Sequence, residues 1–138
     1  MTPLNVGPAP YDQLGSARIL ALVERFYDAM AQTEPALAHL HASDATPHDG
    51  TVSRGSRDRF GLFLIGWLGG PQTYTEVHGH PRLRMRHAHV PIGIQQRDAW
   101  LRCMQIALDG DPNIPVPVRA YLDARFAEVA DFLRNTTS

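Results

Sequence analysis

The stretch Gly79-His80-Pro81-Arg82-Leu83-Arg84-Met85-Arg86-His87-Ala88-His89-Val90-Pro91-Ile92 decides how this chain is read. Pro81 suits the first position of a helix, where a missing N–H leaves nothing unsatisfied. Pro91 forbids continuation, because its ring and its lost donor break the preceding turn. The expectation is a short helix from residue 81 to about residue 89, held by a proline at each end. His87 sits on it among Leu83, Met85 and Val90. A neutral imidazole held rigidly over an apolar cavity suits an axial ligand of iron. These residues alone do not require one.

On both sides of this stretch the pattern is helical. Upstream, Phe60, Phe63, Leu64, Trp67 and Leu68 recur at i, i+3, i+4, i+7 and i+8, and Gly69-Gly70-Pro71 ends the run. Residues 72–79 read as a connector that can hold a turn of helix. Further back, Ile19, Val23, Phe26, Tyr27 and Met30 share one face of a helix over residues 16–31, limited by Pro35. A helical turn follows at 35–39. Residues 41–54 are rich in Ser, Asp, Thr, Gly and Pro and read as a long loop. Downstream, a helix from Gly93 to about Leu108 turns Trp100, Cys103, Met104 and Ala107 inward. Asp109-Gly110-Asp111-Pro112 breaks it. A last helix over residues 117–134 aligns Val118, Tyr121, Leu122, Phe126, Val129, Phe132 and Leu133. No segment alternates as a half-buried strand does. The fold expected is all-α, with four main helices and several short ones. Residues 1–10 form a loose tail and residues 11–138 one domain.

Bulk properties narrow the function. With 138 residues, the chain can bury one core and one mid-sized ligand. Thirteen basic and fourteen acidic residues leave a formal net charge of −1, which offers no electrostatic grip on nucleic acid or an anionic membrane. The single Cys103 cannot form an internal disulfide and reads as an inert buried thiol. No basic region followed by an apolar run opens the chain, and the apolar run at 60–68 is too short to span a bilayer. A cytoplasmic protein is the expectation.

Six of the seven histidines form three His-x-His pairs: His39 and His41, His78 and His80, His87 and His89. On a strand, two residues apart share a face and suit a metal site. On a helix they point about 200° apart, so His87 and His89 cannot both reach one ion. His39, His48, His78 and His89 read as surface or half-buried polar side chains, and His80 as an N-cap or a surface residue before Pro81.

The stretch 79–87, with Pro91-Ile92 beyond it, resembles the proximal segment of the group II truncated haemoglobins. Three further motifs agree in order: Arg25-Phe26-Tyr27-Asp28, Gly66-Trp67-Leu68-Gly69-Gly70-Pro71, and Arg97-Asp98-Ala99-Trp100-Leu101-Arg102-Cys103-Met104. The resemblance covers about residues 11 to 134. It implies a globin-like 2-on-2 helical sandwich around haem b. By position it makes His87 the proximal iron ligand, Tyr27 the distal tyrosine and Trp100 the pocket tryptophan. His41 matches a polar loop position, with His48 as its rival, because the stretch from His41 to Phe60 is longer than the family's and suggests an insertion at 46–51. Ser56 falls where the distal histidine of other globins would stand. Phe60 and Phe63 would line the distal side, and Arg59, Tyr74 and Arg86 are candidates to meet the haem propionates.

The function so implied is tight binding of small gaseous ligands (O2, CO and NO) at a polar pocket, with a reductase to serve the iron. The resemblance also carries an expectation of a homodimer. A dedicated haem-dependent redox enzyme and a non-haem metal-binding helical domain stand as alternatives.

Overall fold

The computed structural model describes residues 9–40, 54–80 and 92–136, except for the side chains at 39 and 40. The expected short helix with Arg86 and His87, and the loop with His41 and His48, lie outside the described residues. Six helices are seen: α1 (Pro10–Thr33), α2 (Pro35–Leu40), α3 (Arg54–Trp67), α4 (Thr73–His78), α5 (Ile94–Asp109) and α6 (Val116–Phe132). No strand occurs among the described residues, and no helix among them is long and apolar enough to cross a membrane. The architecture is the all-α 2-on-2 sandwich. The pair α1 and α3 packs against the pair α5 and α6, and α1 makes the most extensive contacts with both α5 and α3.

Helix α1 starts earlier than its apolar period indicates, and it is kinked. Gly15 has φ 78° and ψ 163°, a left-handed conformation that splits a first turn from the main helix. The expected start at Ser16 therefore marks the second part. The first turn is seated on the end of α3: the Tyr11 N–H donates to the Leu68 carbonyl at 3.0 Å. A Cβ at Gly70 would lie 2.5 Å from the Tyr11 ring, and Gly69 has φ +105°. The Gly69-Gly70 pair thus ends α3 and also makes room for the start of α1. Residues 72–79 form more than a connector, since α4 occupies most of them.

The core runs between the layers. Ile19, Phe26 and Met30 of α1 are fully buried, as are Leu64 of α3, Met104 of α5 and Leu122 of α6. Ala99, Cys103 and Ala107 recur every fourth residue on α5 and are buried. Their small side chains let α1 approach closely enough for the Arg25 Nε–H to donate to the Ala107 carbonyl at 2.9 Å.

Two faces differ from expectation. On α3, the side turned to α1 is Arg57, Gly61, Leu64 and Ile65. Phe60, Phe63 and Trp67 lie beside it and are half-buried. On α6, burial follows the i+4 row Val118, Leu122, Phe126, Ala130. That row drifts around the helix, because four residues overshoot a turn of 3.6. Phe132 falls off it and is 54% exposed.

Candidate functional site

Aromatic side chains from all four main helices meet in one cluster. Phe26 on α1 contacts Tyr27 at 4.9 Å between ring centroids, Trp100 at 5.1 Å and Phe60 at 5.5 Å. Tyr27 meets Phe60 edge-on at 5.7 Å. Along α3, Phe60, Phe63 and Trp67 stand 6.3 Å apart in succession, their planes within 15° and 19° of one another. Trp67 and Trp100 both contact Phe126 of α6. Tyr74 on α4 meets Phe63 edge-on at 5.8 Å.

Burial divides the cluster. Tyr27 is 4% exposed and Phe26 is fully enclosed. Phe60, Phe63, Trp67 and Trp100 are only half-buried, although they pack on the core. Burial pushes the Tyr27 phenol far above its ordinary range, against the opposing pull of Arg57 and Arg59. Tyr27 thus keeps its O–H well beyond the pH at which an ordinary phenol ionises.

Basic residues flank the tyrosine. Arg57 is 7% exposed. Its Nη1 donates to Glu24 Oε1 at 2.8 Å and to Asp28 Oδ1 at 2.9 Å, both carboxylates on α1. Burial works against its charge, but the hydrogen bonds it donates to Glu24 and Asp28, together with the charges of those carboxylates, outweigh burial and hold it protonated. Arg54 also binds Glu24, with contacts of 2.6 to 2.8 Å. Arg59 is half-buried, with Nη2 3.5 Å from the Oγ of buried Ser56.

Of the site residues expected from sequence, Tyr27, Phe60, Phe63, Tyr74 and Trp100 come together, and Arg59 lies next to them on α3. His41, Arg86 and His87 lie outside the described residues. Both ends of the 81–91 segment are nonetheless placed. His78 and His80 are exposed, and Gly79 closes α4 by donating to the Thr75 carbonyl at 2.9 Å. At the far end, the Ile92 N–H donates to Asn135 Oδ1 at 2.8 Å, and the Ile92 carbonyl accepts from the Asn135 N–H at 2.9 Å. Sequence reasoning missed Arg57. A signal was present: Arg57 precedes Gly61 by four residues and Leu64 by seven, on the buried face. Glu24 and Asp28 are four apart on α1, ready to meet a cation.

The family model for the bacterial-like globins matches residues 9–121. A group 2 truncated haemoglobin of Bacillus subtilis (strain 168) is 37% identical over 129 residues, 94% of this chain and 90% of that protein. The chain belongs to the group II truncated haemoglobins. The crystal structure of the haemoglobin from the thermophilic phototrophic bacterium Chloroflexus aurantiacus is 37% identical and superposes with a TM-score of 0.80, covering 94% of this chain and all of that one. The X-ray structure of an oxygen-avid truncated haemoglobin from Bacillus subtilis is 35% identical with a TM-score of 0.78, covering 93% of this chain and all of that one.

The globin family implies a haem cofactor, and the described wall of this truncated haemoglobin fits one. Phe60, Phe63 and Trp67 present three nearly parallel rings, each with part of its surface uncovered. A panel of that kind suits a flat apolar macrocycle. Arg59, on the same helix, offers a cation for a carboxylate at the macrocycle's edge.

Proposed function

We propose that this truncated haemoglobin binds oxygen and related diatomic gases at haem b, with His87 as the iron ligand and Tyr27 as the principal distal donor. Haem supplies the ferrous iron at which a diatomic ligand binds and draws partial negative charge. The chain supplies the rest. Phe60, Phe63 and Trp67 exclude water from one side. Tyr27 contributes an O–H that burial keeps protonated, and Trp100 contributes an indole N–H beside Phe26 and Phe60. His41 is the third donor by sequence position. Arg59, Tyr74 and Arg86 are assigned to the propionates. A reductase class of partner would keep the iron ferrous.

The buried, neutral phenol among half-covered rings carries this reading. A core built only for packing would cover those rings more fully. The test is the visible spectrum of purified protein in its oxidised, reduced and carbon-monoxide forms. A globin-type spectrum that disappears in His87→Ala is expected. Colourless protein from a porphyrin-supplied culture, or a His87→Ala variant with normal haem loading and spectrum, would overturn the proposal.

A further inference from the structure

Arg57 lies outside the expected set of site residues, yet it is the most enclosed cation described. It reaches α1 from α3 and binds both Glu24 and Asp28 there, at 2.8 and 2.9 Å. Those two residues bracket Tyr27 in sequence, one three positions before it and one directly after it. The guanidinium carbon lies 5.9 Å from the centroid of the Tyr27 ring, within reach of a cation–π contact. Arg54 shares Glu24, so that carboxylate is held from two sides.

We propose that Arg57 is a positioning residue for Tyr27: pinned by Glu24 and Asp28, its guanidinium lies against the phenol, fixes the ring, and makes the O–H a stronger donor to a ligand in the pocket. The physical chemistry has two parts. One guanidinium nitrogen, Nη1, donates to both carboxylates at once, and two charge-assisted bonds from one nitrogen limit how the guanidinium can turn. A positive charge beside a phenol draws electron density from its oxygen and strengthens the hydrogen bond it donates. The electrostatic pull of Arg57 on Tyr27 has that sign, opposing the effect of burial. The inference rests on Tyr27 as a ligand donor, the reading given above.

The test uses haem-loaded protein and four forms: wild type, Arg57→Met, Tyr27→Phe and the double variant. Three quantities are read: the oxygen release rate, the C–O stretching frequency of the carbon-monoxide form, and the ring signals of labelled tyrosine by NMR in that same form. Arg57→Met is expected to speed oxygen release about three- to ten-fold. It should also shift the C–O stretch toward the value of Tyr27→Phe, and move the Tyr27 signal while those of Tyr11 and Tyr121 stay in place. In the Tyr27→Phe background, Arg57→Met should add nothing to either ligand readout. An equal effect of Arg57→Met in both backgrounds, or an unmoved Tyr27 signal, would overturn the proposal, since a merely structural arginine behaves that way. If Arg57→Met does not fold, the Glu24→Gln, Asp28→Asn double variant takes its place, because it keeps Arg57 but slackens its tether at one half-buried and one exposed site. The same shifts are then expected, and their absence is equally decisive. If Tyr27→Phe itself leaves oxygen release unchanged, the donor reading of Tyr27 fails. If Tyr27→Phe acts but Arg57→Met does not, only the inference about Arg57 fails.

Discussion

Tyr27 shows how one buried hydroxyl links stability to pH, and under its proposed role it also sets ligand release. In the unfolded chain its phenol ionises near the ordinary value of 10.0; in the fold, burial holds the proton to higher pH. Below that ordinary value both states keep the proton. Above it the unfolded chain gives the proton up while the folded one retains it, so stability falls as pH rises, by up to about 1.4 kcal/mol per pH unit. Cys103, also pushed up by burial, adds a slope of the same sign. Denaturant titrations above pH 10 should show a shallower alkaline loss in Tyr27→Phe than in wild type. For ligand release, a hydrogen bond to a charged acceptor contributes about 1.5–3 kcal/mol, or on the order of ten-fold and more in rate. Stopped-flow release of oxygen should accordingly speed up about ten-fold or more in Tyr27→Phe. An unchanged rate would transfer the donor role to Trp100 or His41.

Among the elements, α3 carries two functions on adjacent faces. Its buried face, from Arg57 through Gly61 to Leu64, docks on α1; a Cβ at Gly61 would lie 2.6 Å from Leu20 Cδ2, so this crossing is close. Its second face presents Phe60, Phe63 and Trp67. Periodicity alone gave one apolar stripe where the fold uses two, because half-covered rings and fully covered side chains look alike in sequence. The far end of α6 has an equally specific role. Asn135, just past it, clamps Ile92 from both backbone sides, at the exit of the 81–91 segment. Asn135→Ala removes the side-chain half of that clamp. It should cost about 1 kcal/mol of stability. Under the proposed role of His87 it should also speed haem loss to an acceptor protein, whereas loss at the wild-type rate would show that this clamp does not hold the haem-binding segment.

For the molecule as a whole, the half-covered aromatic surface would make haem part of the folded state under the proposed function. The circuit Phe26, Phe60, Phe63, Trp67, Phe126 and Trp100 takes rings from four helices and joins both layers. A tightly bound ligand that meets only the folded form stabilises it by mass action. Haem-free protein should therefore melt on the order of 10 °C lower than the haem-loaded form in calorimetry. It should also bind more of an apolar fluorescent dye. Equal melting temperatures would mean that the ring panel gains nothing from haem.

Much of this protein was legible from local chemistry. Helix period, proline starts and glycine stops depend on backbone geometry within a few residues. Five of the six described helices were placed on that basis, with only the start of α1 misjudged by more than a turn, and α4 was read as a connector that can hold a turn of helix. The same local patterns put Tyr27, Phe60, Phe63 and Trp100 on helix faces, and the ordered motifs around Tyr27, Trp67, His87 and Trp100 pointed to the family. Which side chains are buried was decided elsewhere. Arg54, Arg57 and Arg59 are nearly equivalent in sequence, yet only Arg57 is enclosed: Arg54 binds the same Glu24 and stays exposed, so the position of Arg57 on the α3 face turned to α1, and not the ion pair, decides its burial. Gly69 and Gly70 read as a stop signal, but Ala9 against Gly69 and the Tyr11 ring against Gly70 make them a seat as well. Burial is set by partners remote along the chain, and only the packing of α1 against α3 and α5 brings them together.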